Sequence, residues 1–171
     1  MTVVLRTPTE ADWERWRDLR LRMLADTPHA FAETLATARG HTEEVWRERC
    51  RRMRAPGSRT VVAVEVPTDR WVGTMGVFTD PVRGLFLVSV FVDPAHRGGG
   101  LADRLLTDVL RWAASRPGAT GLSLHVHEDN HRAQAFYRRR GFVDTGVRTP
   151  YGLDPTRREL EMRVAFGERG R

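Results

Sequence analysis

The chain has 171 residues, 40% of them hydrophobic, and a formal net charge of +6. That suits one compact domain over residues 1–171 with a real core. A single cysteine, Cys50, excludes an internal disulfide framework and any multi-cysteine metal site, and no apolar run approaches the roughly 18 residues of a membrane span.

All 28 basic side chains are arginine, which reads first as a habit of composition. The basic balance suits an anionic cofactor, an acidic partner or nucleic acid. The segment Thr2–Arg15 is mixed and charged and lacks the apolar centre of a secretory signal, so a cytoplasmic protein is expected.

In chain order, Thr2–Arg6 is a short strand. Thr9 caps a helix running to about Ala25, with Glu10 and Asp12 in its first turn and Trp16, Leu19, Met23 and Leu24 at helical spacing. Asp26-Thr27-Pro28 ends it, and Phe31–Gly40 carries no clear pattern. A second helix follows Thr42, with Glu43 and Glu44 at its start and Arg47 to Arg54 towards its end. Cys50 lies in that helical pattern as a small packed side chain. Thr60–Val66, Trp71–Phe78 and Leu85–Val92 are strands joined by short turns, an antiparallel meander. The last is apolar almost throughout and suits a central strand buried on both faces.

A long amphipathic helix covers Gly100 to about Ser115, stopped by Arg116-Pro117-Gly118. Thr120–His127 is a strand with Leu122, Leu124 and Val126 on one face and Ser123, His125 and His127 on the other. Asn130 opens a short helix ending near Arg140, with Gly141 at its C-terminal cap. Phe142–Val147 and Arg158–Phe166 are the closing strands, and the tail Gly167–Arg171 is expected to fray.

The informative stretch is Val92-Asp93-Pro94-Ala95-His96-Arg97-Gly98-Gly99-Gly100-Leu101-Ala102, a strand end, a turn, three glycines and a helix start. The first N–H groups of a helix lack carbonyl partners, and the macrodipole adds about half a positive charge there. Glycines let that backbone come close to a phosphate. The lysine of a P-loop is absent, and a dinucleotide fingerprint would open the domain rather than follow its midpoint.

The run Arg97-x-x-Gly100-x-Ala102 after Val92-Asp93-Pro94 resembles the pyrophosphate-binding motif of the Gcn5-related N-acetyltransferases (GNAT). Asn130-x-x-Ala133-x-x-Phe136-Tyr137-x-x-x-Gly141-Phe142 is similar to that family's second half-motif, and the pair spans roughly residues 85 to 142. The resemblance implies an α/β, GNAT-like fold, a mixed, mostly antiparallel twisted sheet flanked by helices, in the order β-α-α-β-β-β-α-β-α-β-β. It also implies acetyl transfer from acetyl-CoA to a primary amine by direct attack in a ternary complex.

On that resemblance, pantetheine pairs with the backbone of Phe91 and Val92. The pyrophosphate sits on Arg97, Gly98, Gly99, Gly100, Leu101 and Ala102. Asn130 reaches the pantetheine arm, although as a helix N-cap it is equally structural. Tyr137 aligns with the family's usual general acid, and a phenol of pKa about 10 stays protonated at neutral pH, although beside Phe136 it also suits a core aromatic. Arg138 to Arg140 either meet the adenosine phosphates or form a solvated face.

The glutamate that many members carry in the central strand is missing from Leu85–Val92. Glu33, His127 and Glu128 are the candidate bases. The segment Thr27–Gly40 overhangs the amine site in this family, which makes Phe31 and Glu33 candidate acceptor residues, although Phe31 and Leu35 lie at helical spacing and read first as core; Glu33 is an attractor of the amine first and a water-relayed base second. No metal is expected, because His125 and His127 lack a third ligand. The acceptor is a small amine or a protein N-terminus. A homodimer is compatible, and no membrane partner is expected. The alternative reading is a CoA-sensing or nucleic-acid-binding protein of the same fold without turnover, with nucleic acid the weaker partner.

Overall fold

The computed structural model describes residues 2–167. The expected fraying of the tail falls, beyond Gly167, outside the described residues. The strands are β1 (Thr2–Arg6), β2 (Ser58–Val66), β3 (Arg70–Asp80), β4 (Gly84–Val92), β5 (Gly121–His127), β6 (Val143–Tyr151) and β7 (Asp154–Ala165). The helices are α1 (Trp13–Asp26), α2 (Leu35–Arg39), α3 (Glu43–Arg52), α4 (Leu101–Ala114) and α5 (His131–Arg139). Short 3₁₀ turns lie at Glu10–Asp12, Pro28–Ala30 and Pro94–His96.

Two segments differ from the sequence expectation. The patternless stretch Phe31–Gly40 contains α2, which Thr34 caps by accepting a hydrogen bond from Thr37 N at 3.0 Å. Its five residues are too few to stand alone, and the buried Ala38 ties it to the α1 and α3 side. The closing strands are also longer than expected: β6 runs through Pro150 to Tyr151 and β7 begins at Asp154. Two prolines, Pro150 and Pro155, on either side of the turn masked this hairpin. Because β6 is the sheet edge, a proline is tolerated in it.

The seven strands form one sheet in the order β1-β2-β3-β4-β5-β7-β6. Neighbours are antiparallel except β4 and β5, which are parallel. Alternation in β2 sends Val61 and Ala63 towards α4 and Val62 and Val64 towards α1 and α3. On the first face Leu105, Leu106 and Val109 of α4 pack with Val72, Met75 and Leu122. On the second, Trp16, Leu19 and Met23 pack with Trp46, Cys50, Trp71 and Phe91. Each such buried side chain contributes about 1.5–3 kcal/mol. Cys50 is a packed core residue, and burial pushes its thiol up to about 12. Beyond β4 the second face carries Ser123, His125, His127, Glu159 and Glu161, so this half of the sheet presents a polar surface. No helix among the described residues is long and apolar enough to cross a membrane.

Glu33 ties α1 to α3 and to the loop that joins α2 to α3. Its carboxylate accepts from Arg20 Nε on α1 (3.0 Å), from Arg49 Nη1 and Nη2 on α3 (3.0 and 2.7 Å), and pairs with His41 Nε2 at 2.8 Å. Burial alone would raise this carboxyl, but the bonds from Arg49 and His41 and the charge of Arg20 outweigh it and bring the pKa down to about 2. The unfolded chain therefore binds the proton first as pH falls. The stabilisation is complete above the unfolded value of 4.5 and is lost as pH falls towards 2. It amounts to at most about 3 kcal/mol. Glu33→Gln is expected to lower the urea midpoint at pH 7 and to converge with the parent near pH 2. A mutant offset that stays constant across that range would remove the carboxylate's charge from this account.

Candidate active site

The site starts where β4 ends. Asp93 accepts from Arg22 Nη1 on α1 at 2.6 Å and from Arg70 Nη2 on β3 at 2.9 Å, and caps the Pro94–His96 turn through Ala95 N at 3.2 Å. Arg97 turns back, donating from Nε to Val92 O at 2.8 Å and pairing with Asp26 at the end of α1. These ties hold the glycine loop against the sheet. Gly98 and Gly100 adopt φ of +80° and +78°, and a Cβ on either would meet nothing within 4 Å. The loop thus combines a backbone only glycine accepts readily with open space in front of it.

That space is a cavity of about 760 Å³ whose lining includes Gly98, Gly100, Leu101, Ala102, Val90 and Val92. Asn130, Tyr137, Arg139 and Arg140 complete the far wall. Some expected residues stand elsewhere. Gly99 does not line this cavity, and Phe91 sends its ring into the core beneath α1, so either would contribute through backbone alone. Arg138 turns to Gln134 Oε1 at 3.2 Å, whereas Arg140 Nε donates to Asp103 Oδ1 at 2.6 Å. Arg139 has no ion-pair partner among the described residues.

A second feature opens the sheet itself. The β3–β4 register slips between Thr74↔Phe91 and Gly76↔Val88, leaving an extra residue in β4, and Ser89 there has φ of +53°. This is a β-bulge with a strained non-glycine residue. On its other side, β4 pairs with β5 at Phe86↔Ser123 alone. Past that point Leu87–Val90 and His125–His127 face a cavity of about 380 Å³. The two cavities meet at Ala30, Phe31, Val90, Asn130, Ala133 and Tyr137, which line both.

Tyr137 stands at that junction on α5, its ring between Phe136 and Phe142 at centroid distances of 5.4 and 5.5 Å. Burial pushes its phenol well above the usual tyrosine value, and the hydroxyl has no hydrogen-bond partner among the described residues. It is a proton held at the meeting of two cavities. Asn130 caps α5 by accepting from Ala133 N at 3.2 Å, which leaves its amide N–H donors free. Phe31 walls both cavities and also belongs to the core. Tyr151 Oη holds that stretch in place by donating to Phe31 O at 2.8 Å.

The expected bases fare differently. His127 Nδ1 accepts from Asp129 N at 3.2 Å, so the neutral ring carries its proton on Nε2. Burial and the neighbouring His29 push its pKa down. It therefore offers a donor to the cavity. Glu128 is engaged by Arg157 Nε at 3.0 Å and Arg158 N at 3.1 Å and lines neither cavity. Glu33, saturated by its cations at a pKa near 2, is ill suited both to hold a proton and to attract a further cation. Sequence reasoning missed Glu159. It lies on β7 opposite His127, lines the smaller cavity, and stands 3.7 Å from His125 Nδ1. Burial raises its carboxyl above the ordinary value. The alternation Glu159-Leu160-Glu161-Met162 turns it away from the core, but only the β5–β7 register brings it to the cleft. Among the described residues, no group of three or more His, Cys, Asp or Glu is placed to hold a metal.

The sequence model of the acetyltransferase (GNAT) family matches residues 13–142. The chain belongs to this family. The mycothiol acetyltransferase of Beutenbergia cavernae is 29% identical over 145 residues, covering 85% of this chain and 46% of that protein. The chain spans less than two thirds of the length of the curated relatives it matches, from 16% to 64%. Among solved structures, a GNAT acetyltransferase from Streptococcus pneumoniae superposes with a TM-score of 0.81 at 17% identity, covering 97% of this chain and all of that one (100%). The structure of yncA from Salmonella typhimurium with its cofactor acetyl-CoA gives 0.76 at 18% identity, covering 100% and 98%. These structural likenesses show the GNAT fold. In this GNAT chain the glycine loop and the β4–β5 cleft are two walls of one continuous space.

Proposed function

We propose that the chain is a single acetyltransferase domain that moves an acetyl group from acetyl-CoA to a primary amine by direct attack in a ternary complex. The observation that carries this reading is the junction of two cavities at Tyr137, one reached from the glycine loop and one opening between β4 and β5.

The residues present fit acetyl-CoA. A glycine loop at a helix N-terminus, with open space where Cβ atoms would stand, suits a pyrophosphate. Backbone N–H groups from Gly98 to Ala102 would hold it, and Arg139 and Arg140 would meet the adenosine phosphates. The open edge of β4 near Val90 and Val92, with the Asn130 amide, would hold pantetheine. Bound there, acetyl-CoA supplies an activated thioester. Tyr137 keeps its proton at neutral pH and donates towards the departing sulfur. Glu159 accepts the amine proton, directly or through one water, and its raised carboxyl is a better base than an ordinary one. An alkylamine is only about one part in a thousand neutral at pH 7, a handicap of roughly 4 kcal/mol, which is why the reaction calls for a route for the amine proton at the cleft. The acceptor is a small amine or a protein N-terminus.

Acetyl-CoA at about 100 times its dissociation constant is expected to stabilise the parent by roughly 2.7 kcal/mol in thermal unfolding. Gly100→Glu, which fills the cradle and repels phosphate, should lose that shift; an undiminished shift would displace the ligand from the loop. Tyr137→Phe is expected to reduce kcat by about 10²- to 10⁴-fold in thiol-release assays over an amine panel, with acetyl-CoA affinity unchanged. Glu159→Gln should reduce kcat/KM most near pH 6 and least near pH 9, where more of the amine is already neutral. A parallel drop at every pH would deny Glu159 the proton.

A further inference from the structure

The acceptor side of the cleft is richer in cations than a site for a simple amine requires. A third cavity, about 880 Å³, adjoins the β4–β5 cleft and shares Arg20, Ala32, Phe78, Val88 and Ser89 with it. Arg20, Arg49 and Arg52 line the outer cavity and Arg83 the inner one, against the carboxylates of Glu33 and Glu159.

Arg20 is the charged side chain among the residues the two cavities share. It is 12% exposed, and its guanidinium stacks over Phe31 at 4.7 Å. Only Nε is engaged, donating to Glu33 Oε2 at 3.0 Å. A guanidinium has five N–H donors, and the terminal ones of Arg20 have no protein acceptor among the described residues. Glu33 cannot serve them as well, since its oxygens already receive Arg49 and His41. The cluster thus holds a cation rigidly, one edge fixed and the other presented to the cavity. Such a planar, preorganised fork matches a carboxylate in two-point contact.

We propose that Arg20 binds a carboxylate of the acceptor, so that the acceptor is a small amino acid rather than a polyamine or an unsubstituted amine. This rests on the acetyltransferase reading above and reverses the sign expected from Glu33: the free valence at this place is positive. Arg20 and Tyr137 line the same 380 Å³ cavity, so the amine and the carboxylate belong to one compact molecule. A polyamine would meet the like charges of Arg20 and Arg83 in this cavity.

The test compares free amino acids with their primary amides, which replace that charge with a neutral group, in the parent, Arg20→Gln and Arg20→Lys; the amide's lower α-amine pKa is the same in all three proteins, so the change between proteins isolates the Arg20 contact. Dissociation constants come from calorimetry on protein saturated with CoA, and KM from thiol release. The parent is expected to bind the acids about tenfold or more tightly than the amides, the range of one charge-assisted contact. Arg20→Gln should level the two, and Arg20→Lys should restore part of the difference. Equal binding of acids and amides by the parent overturns the inference, and so does a lower KM for spermidine or an acid preference that survives in Arg20→Gln. An aspartate-headed peptide that outcompetes every free amino acid overturns the small-molecule assignment. The acid-to-amide comparison in the parent decides even where Arg20→Gln fails to fold. Acid-selective binding without thiol release would leave the carboxylate contact at Arg20 standing but sink the acetyl-transfer reading, and with it the assignment of that carboxylate to an acceptor.

Discussion

Everything at this site depends on β4 parting from β5. Backbone N–H and C=O groups inside a sheet are normally consumed by the neighbouring strand. Here the parallel pair meets at Phe86↔Ser123 and then separates, leaving edge groups of a central strand without a protein partner. The bulge at Ser89 is what turns β4 aside, and its positive φ is a strain that the packed strands on either side must hold. An open edge in the middle of a sheet is costly unless a ligand or water completes it. The same geometry that creates this cost also places the glycine loop, Tyr137 and the polar face of β5 and β7 around one gap.

Arginine chemistry holds the frame rigid. Arg22 and Arg70 converge on Asp93, Arg97 reaches Asp26, and Arg20 and Arg49 converge on Glu33. Each pair joins elements far apart in sequence, and several are shielded enough to act as fixed forks rather than as loose surface pairs. Much of the net positive charge is therefore turned inward on structure. Two arginine groups without a protein acceptor among the described residues, Arg139 beside the glycine loop and the terminal nitrogens of Arg20 beside the cleft, lie where anionic groups would be wanted.

Burial sets the protonation states of the site's titratable groups apart. It raises the Tyr137 phenol and the Glu159 carboxyl and lowers His127 and His125. At neutral pH this gives one firm proton donor, one strengthened acceptor and neutral imidazoles, within a span bounded by α5 and β7. Environments that push titratable groups in different directions are the usual mark of an assigned division of labour. Glu33 belongs to the opposite class, a carboxylate locked in its charged form to hold helices together and orient Arg20.

The sequence by itself determined the parts whose signals are local. The 3.6-residue apolar period of α4, the alternation of β5, the glycines before Leu101 and the Asn130-to-Tyr137 spacing on α5 all follow from φ/ψ preference and side-chain direction within a few residues. The tertiary structure alone decided where separate segments meet. Helix α2 exists because Ala38 finds a core, a contact no window of ten residues contains. The β6–β7 hairpin forms through Pro150 because β6 lies at an edge. Glu159 reaches the cleft through the β5–β7 register, and Glu33 is disarmed by two arginines 13 and 16 positions away in the chain. The physical reason is the same in each case. Backbone periodicity says which face a residue takes, but what stands opposite that face is set by pairing and packing across the whole sheet.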